Sequence, residues 1–307
     1  MKKILGILIM TFFSAIISGQ RNPVWLDADT GNEMDDLYAI TRLVKEPGIK
    51  IAGISSAHFN NPDLLVFEKW NAYETSGLKT VAESQRLNEE ILKALGRTDI
   101  PHPTGADRQI GRAWGGREPR DSPAARAIIS IVKSLPEGRK LDIITIGAVT
   151  NLASAIILAP EIINKIRCFT LGASYNTDKG IWNKNEFNVR NDLNGFDYML
   201  NCEGLDLNIM PLETAFPLQF DRDETYSKLN EEIEIEKILK HRWMQHNPQD
   251  KKRVMWDLAL VEAFLNPEKA SIREVITPPE NTHRKIQAYI KIQHDELADD
   301  FWKCLTN

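Results

Sequence analysis

Five acids fall within the stretch WLDADTGNEMDD at 25–36: Asp27, Asp29, Glu33, Asp35 and Asp36. Carboxylates crowded this closely repel one another unless a metal ion or a proton sits among them. The run follows an apolar segment, so the charge gathers at the end of what reads as a buried strand. Asp29, Asp35 and Asp36 could surround a hard divalent cation, with Asp36 heading a helix whose N-terminal N–H groups help hold the carboxylates. An oxygen-only donor set without nearby His or Cys favours Ca²⁺ or Mg²⁺ over Zn²⁺.

Such a cluster needs rigid elements to hold it. NPVWLDAD (22–29) reads as a strand and DDLYAITRLVKE (35–46) as a helix with Leu37, Ile40, Leu43 and Val44 on one face. IKIAGISSA (49–57) is a second strand, PDLLVFEKWNAYET (62–75) a helix, LKTVAES (78–84) a weak strand, and SPAARAIISIVKSL (122–135) a helix capped by Ser122. KLDIITIGA (140–148), IRCFTLGA (166–173) and LDLNIMPL (205–212) are further strands, with a helix from about Asn151. The alternation predicts an α/β domain with an open, mostly parallel central sheet flanked by helices. Ligands in such sheets bind beyond the carboxyl ends of the strands, where Asp27, Asp29, Asn60, Thr150 and the GASYN segment all fall. The charged segment 231–252 reads as a solvated helix and loop, with His241 and His246 on its surface and a possible role as a lid.

Composition narrows the class. The formal charge is −5, and no basic run occurs, which argues against nucleic acid or an anionic membrane as partner. Residues 1–20 have two lysines, an apolar run too short for a span of about 20 residues, and a small-residue end, the order of a secretory signal peptide. Residues 21–307 are then expected to form one domain, periplasmic or secreted. Cys168, Cys202 and Cys304 lack metal-type spacing; buried thiols or a Cys202–Cys304 disulfide both fit.

Two families have a related first motif. LDADTG resembles the DxDxT strand end of haloacid-dehalogenase-type phosphatases, which would make Asp27 a nucleophile, but it leaves EMDD unexplained. The whole run resembles DxDxGxDD of the inosine-uridine preferring nucleoside hydrolase family, with two extra residues before the Asp pair. That resemblance continues in order through GISSAHFNN, KWNA, IPHPTGADRQI, IGAVTNLASAI, PEIINKIRCFTLGAS, NEFNVRND and MWDLALVEAFLNPE.

The resemblance implies Ca²⁺-dependent cleavage of the N-glycosidic bond of ribonucleosides to ribose and free base. Asp29 would be general base and metal ligand, Asp36, Asp257 and the Thr150 carbonyl further ligands, and Asp35 the acceptor of the 2′-hydroxyl. Asn60, Glu186 and Asn188 would hold ribose hydroxyls, and Asn183 or Asn176 the 5′-hydroxyl. Trp256 replaces the family's usual His before the distant aspartate; its indole cannot act as an acid at neutral pH but can stack on a base. A lid residue such as His241, or solvent, would then protonate the leaving group. A small-molecule ribonucleoside is the expected partner, within a chain that could form a homo-oligomer. A family member retuned to bind a sugar without turnover is the alternative.

Overall fold

The computed structural model describes residues 21–60 and 77–306. The signal segment 1–20, the helix expected at 62–75 and its KWNA motif lie outside the described residues. Among the described residues eleven strands occur: β1 Val24–Ala28, β2 Ile51–Ser56, β3 Leu141–Thr145, β4 Ile166–Leu171, β5 Ser174–Asn176, β6 Ile181–Asn183, β7 Asp206–Met210, β8 Gln219–Asp221, β9 Lys252–Val254, β10 Ala270–Ile276 and β11 Lys285–Ile292. The helices are α1 Asp35–Lys45, α2 Thr80–Ala94, α3 Pro123–Ser134, α4 Thr150–Leu158, α5 Phe187–Asn191, α6 Leu193–Asn201, α7 Leu212–Ala215, α8 Arg222–Lys228, α9 Glu234–His246, α10 Trp256–Leu265 and α11 His294–Thr306.

Seven strands make the expected sheet in the order β10-β11-β7-β4-β3-β1-β2. Its neighbours are parallel except the edge pair β10–β11. The alternation of a pleated strand divides the core between the two faces. Val24, Leu26 and Ala28 point into one cluster with α1, α9, α10 and α11, whereas Trp25 joins the other with α3, α4 and α6. From β1 the chain passes to β2 on one side and returns to β3 on the other. That is a switch point, and the crevice for a ligand opens beside the end of β1.

Asp27 fastens this point. Its Oδ1 accepts from Ser55 Oγ of β2 at 2.6 Å and from Asn151 Nδ2 of α4 at 2.9 Å.

Three expectations change. Leu78–Ser84 is not a strand; Thr80 opens the fifteen-residue helix α2. Its buried positions Thr80, Ser84, Leu87, Asn88, Ile91 and Leu92 recur at helical spacing, but three of them are polar, which hides the hydrophobic period. Those polar positions hold the loop after β1: Ser84 Oγ accepts from Gly31 N at 3.4 Å, and Thr30 Oγ1 donates to Asn88 Oδ1. Segment 231–252 is not simply solvated either, since Leu239 and Trp243 of α9 are fully buried. Finally, Cys168, Cys202 and Cys304 are all free, so the possible Cys202–Cys304 bridge is not formed.

Candidate active site

Asp29 leaves the end of β1, Asp35 and Asp36 open α1, and Asp257 lies in the first turn of α10. All four are buried and line one cleft with Asn32, Glu33, Glu186, Asn188 and Trp256. The cleft opens to solvent and encloses a cavity of ≈ 140 Å³. Two helix N-termini direct their positive dipole ends at the same acids, which partly offsets the repulsion among them. The backbone N–H of Asp257 donates to Asp35 Oδ2 at 3.0 Å, tying the first motif to the distant helix.

Asp35, Asp36 and Asp257 each place one oxygen within 4.8 Å of the others, a spacing that suits a shared cation. Asp29 stands outside this triplet but lines the same cleft. Asp29 Oδ2 and Asp36 Oδ1 are buried without a protein partner. An orphaned buried carboxylate oxygen is costly, and a hard divalent cation on an all-oxygen set would satisfy both. The residues present therefore fit such an ion.

The electrostatics point the same way. Burial pushes Asp29, Asp36 and Asp257 well above the usual carboxylate range. Their neighbours add to this: Asp36 acts on Asp29, and Asp35 acts on both Asp36 and Asp257. Burial also brings Asp35 to about 7 and Glu186 to about 7. Without a cation, the cluster keeps protons in its place.

Glycines allow the close approach. A Cβ on Gly147, just after β3, would lie 2.9 Å from the carboxylate of Asp29. Across the cleft, Glu186 caps α5 by accepting from Asn188 N and Val189 N, each at 3.0 Å. Asn188 Nδ2 donates to Ile146 O at 3.2 Å, which holds the side chain at the end of β3.

Other expected residues stand elsewhere. The side chain of Asn60 donates to Asp107 O at 2.7 Å, and Asn183 Oδ1 accepts from Asn185 N at 2.9 Å on an exposed strand. Thr150 Oγ1 donates to Asp192 Oδ2 at 2.5 Å and lies 2.9 Å from His58 Nε2, in a buried network. The Asn60 and Asn183 side chains do not line the cleft, whereas the expectation for Thr150 concerned its backbone carbonyl. Asn176 Oδ1 accepts from Asp178 N and Lys179 N in its own turn. His241 lies 3.7 Å from Glu231 and faces a separate groove between α2 and α9. Asp27, the nucleophile of the phosphatase alternative, is buried in its bonds to Ser55 and Asn151 and does not line the cleft.

Sequence reasoning missed Asn32 and Glu33 as cleft residues, and Phe216, an exposed ring 5.9 Å from that of Trp256. Glu33 was visible in the acidic run. Phe216 carries no local signal, because α7 and α10 bring it to Trp256 only in the fold.

The profile of the inosine-uridine preferring nucleoside hydrolase family matches residues 24–298. No curated protein matches the chain. Among solved structures, an inosine-guanosine nucleoside hydrolase superposes with TM-score 0.68 at 15% identity, covering 92% of this chain and 98% of its own. The inosine-uridine preferring nucleoside hydrolase from Bacillus anthracis gives 0.68 at 15% identity, covering 92% and 99%. A purine-preferring ribonucleoside hydrolase from Gardnerella vaginalis gives 0.65 at 16% identity, covering 92% and 98%.

Proposed function

Because the chain belongs to the inosine-uridine preferring nucleoside hydrolase family, we propose that it hydrolyses the N-glycosidic bond of ribonucleosides with Ca²⁺ as cofactor. The observation that carries this reading is the pair of orphaned oxygens, Asp29 Oδ2 and Asp36 Oδ1, within a cleft floored by four buried carboxylates. Asp36 and Asp257, whose oxygens converge with one of Asp35, would hold the ion together with Asp29 of the same cleft. When bound, the ion lowers the pKa of a water and fixes its position.

The protein's own groups do the rest. Asp29 takes the proton of the attacking water as its oxygen bonds to the anomeric carbon. The carbon–nitrogen bond breaks, and its electron pair leaves with the base. The surrounding carboxylates stabilise the positive charge that builds on the sugar. Asp35 accepts a hydrogen bond from the 2′-hydroxyl, while Glu186 and Asn188 orient the remaining ribose hydroxyls. Trp256, backed by Phe216, stacks on the base, whose nitrogen takes its proton from solvent. Residues 1–20 have the order of an export leader, so the enzyme acts on nucleosides outside the cytoplasm.

The test is to incubate protein with inosine, uridine and p-nitrophenyl riboside and to follow reducing sugar with and without chelator. Ribose release that chelator stops and Ca²⁺ restores is expected. No release from any of the three in excess Ca²⁺ would overturn the assignment. A sugar-binding member without turnover is the second reading, favoured by Trp256, an indole that cannot act as an acid at neutral pH, in the cleft just before Asp257. It would show thermal stabilisation by ribose with no product.

A further inference from the structure

We propose that Arg242 of α9 is a positioning residue for the cation-binding acids, clamping the loop before α1 so that Asp35 and Asp36 present their oxygens in the cleft. This rests on the reading of the acidic cluster as a cation site. The loop needs a hold from outside its own sequence. Helices commonly open on a Ser, Thr, Asp or Asn whose side chain accepts from the first turn, but α1 opens on Met34, which makes no such bond. The stretch from Gly31 to the Asp pair is also two residues longer than the family fingerprint, so the chain entering α1 has more freedom to restrain.

Arg242 supplies that restraint with a planar fork. Its Nη2 donates to Gly31 O at 2.8 Å and its Nε to Glu33 O at 3.2 Å, so the guanidinium spans the loop on either side of Asn32. Nη1 donates to His246 Nε2, one turn further along α9, which fixes the third arm. Arg242 is buried, and the fully buried Trp243 beside it seats this turn of α9 in the core. Arg253 of β9 adds a grip on the Glu33 side chain through Oε2.

The opposite wall is equally firm. Gly31 N donates to Ser84 Oγ of α2 at 3.4 Å, and a Cβ on Gly31 would lie 2.9 Å from atoms of both Glu83 and Phe59. The loop is thus held between α2 and α9 and cannot retreat from the arginine. Helix α9, where the sequence suggested a lid, is a brace.

Clamp and charge predict opposite outcomes for a bound cation. A guanidinium near the cluster repels a cation, so removing it as a charge alone tightens Ca²⁺ binding. Removing it as a clamp lets Asp35 and Asp36 drift from the spacing they share with Asp257, and binding weakens.

The experiment measures Ca²⁺ affinity by calorimetry and, in chelator, amide hydrogen exchange for the wild type, Arg242→Lys and Arg242→Met. Arg242→Lys keeps the charge and loses the fork. Both variants should bind Ca²⁺ about 10–100-fold more weakly, as when a group that orients a metal ligand is lost. The amides of residues 32–37 should exchange faster in both, with those of β3 and β4 unchanged. Wild-type affinity in Arg242→Lys, or tighter binding in Arg242→Met, makes Arg242 a charge only and overturns the proposal. Faster exchange in β3 and β4 as well makes it a general stabiliser and overturns it too, as does a wild type that binds no Ca²⁺. If Arg242→Met does not fold, Arg242→Lys decides. Weakened Ca²⁺ binding in the variants, with no ribose released from inosine or uridine by the Ca²⁺-loaded wild type, ends the hydrolase reading and leaves the role of Arg242 standing.

Discussion

Helices α1 and α10 pack side by side and carry buried charge at both ends, yet the two ends are built on opposite principles. At the N-terminal end, Asp35, Asp36 and Asp257 bring carboxylate oxygens within 4.8 Å of one another. At the other end, Arg42 Nε donates to Glu262 Oε1 at 2.7 Å and Arg42 Nη1 to Glu46 Oε2 at 2.6 Å, while Asn266 Nδ2 donates to Glu262 Oε2 at 2.9 Å. One end closes its electrostatics within the chain, and the other leaves them for something to be bound. A buried charge whose partner is internal serves structure; one whose partner is missing marks a site.

The contrast breaks most severely at the closed end. Arg42→Met leaves Glu262 buried without its cation and should cost about 3–5 kcal/mol at pH 8 in urea unfolding. Burial already raises Glu262 to about 7, with Arg42 pulling it down. Losing Arg42 raises it further, so at pH 5 the variant holds Glu262 protonated and the cost shrinks. An equal cost at both pH values would show that the guanidinium acts through packing alone.

At the open end, Asp29→Asn should lower kcat by about 10² or more, as for a lost general base, while leaving unfolding in chelator within about 1 kcal/mol. Asp36→Ala should abolish the rise in Tm that Ca²⁺ gives the wild type. Full activity in Asp29→Asn would remove it from the role of base.

Adding Ca²⁺ at a hundred times its Kd should stabilise the wild type by about 2.7 kcal/mol. The gain should be larger at pH 8 than at pH 5. Asp35 sits at about 7 in the fold, above its unfolded value of 3.8, so its protonation contributes stability that is full below 3.8 and lost as pH rises through 7. The cation needs the deprotonated form and offsets that loss. Equal gains at both pH values would sink this account. The smallest effect should come from Asn266→Ala, about 1 kcal/mol by denaturant unfolding, with no change in the Ca²⁺ response.

Much of the architecture was legible because buried parallel strands read as apolar runs, as Leu141–Thr145 and Ile166–Leu171 do. The edge pair β10–β11 went unread, since β10 is mostly exposed and carries Ser271, Arg273 and Glu274 among its apolar residues. Helix α2 was hidden by Thr80, Ser84 and Asn88 on its buried face, where they hydrogen-bond instead of packing greasily. The acidic core of the site was visible as crowded charge. Its rim was not, because what makes Glu33 part of the cleft is Arg253, 220 residues away in the chain. The side chains of Asn60, Asn183 and Thr150 carry strand-end or loop positions correctly, but position along the chain does not fix where a side chain turns.

The single hydrogen bond from Asp257 N–H to Asp35 Oδ2 spans 222 residues. At synthesis rates of about 5–20 residues per second, the acidic run leaves the ribosome roughly 10–40 s before α10 follows. Throughout that interval the nascent carboxylates can stay hydrated, with no low-dielectric wall to make them grip an ion. A chain clipped short of α10 keeps most strands of the sheet and most of the cleft wall but neither Trp256 nor Asp257, so proteolytic fragments of this protein should be inert rather than weakly active.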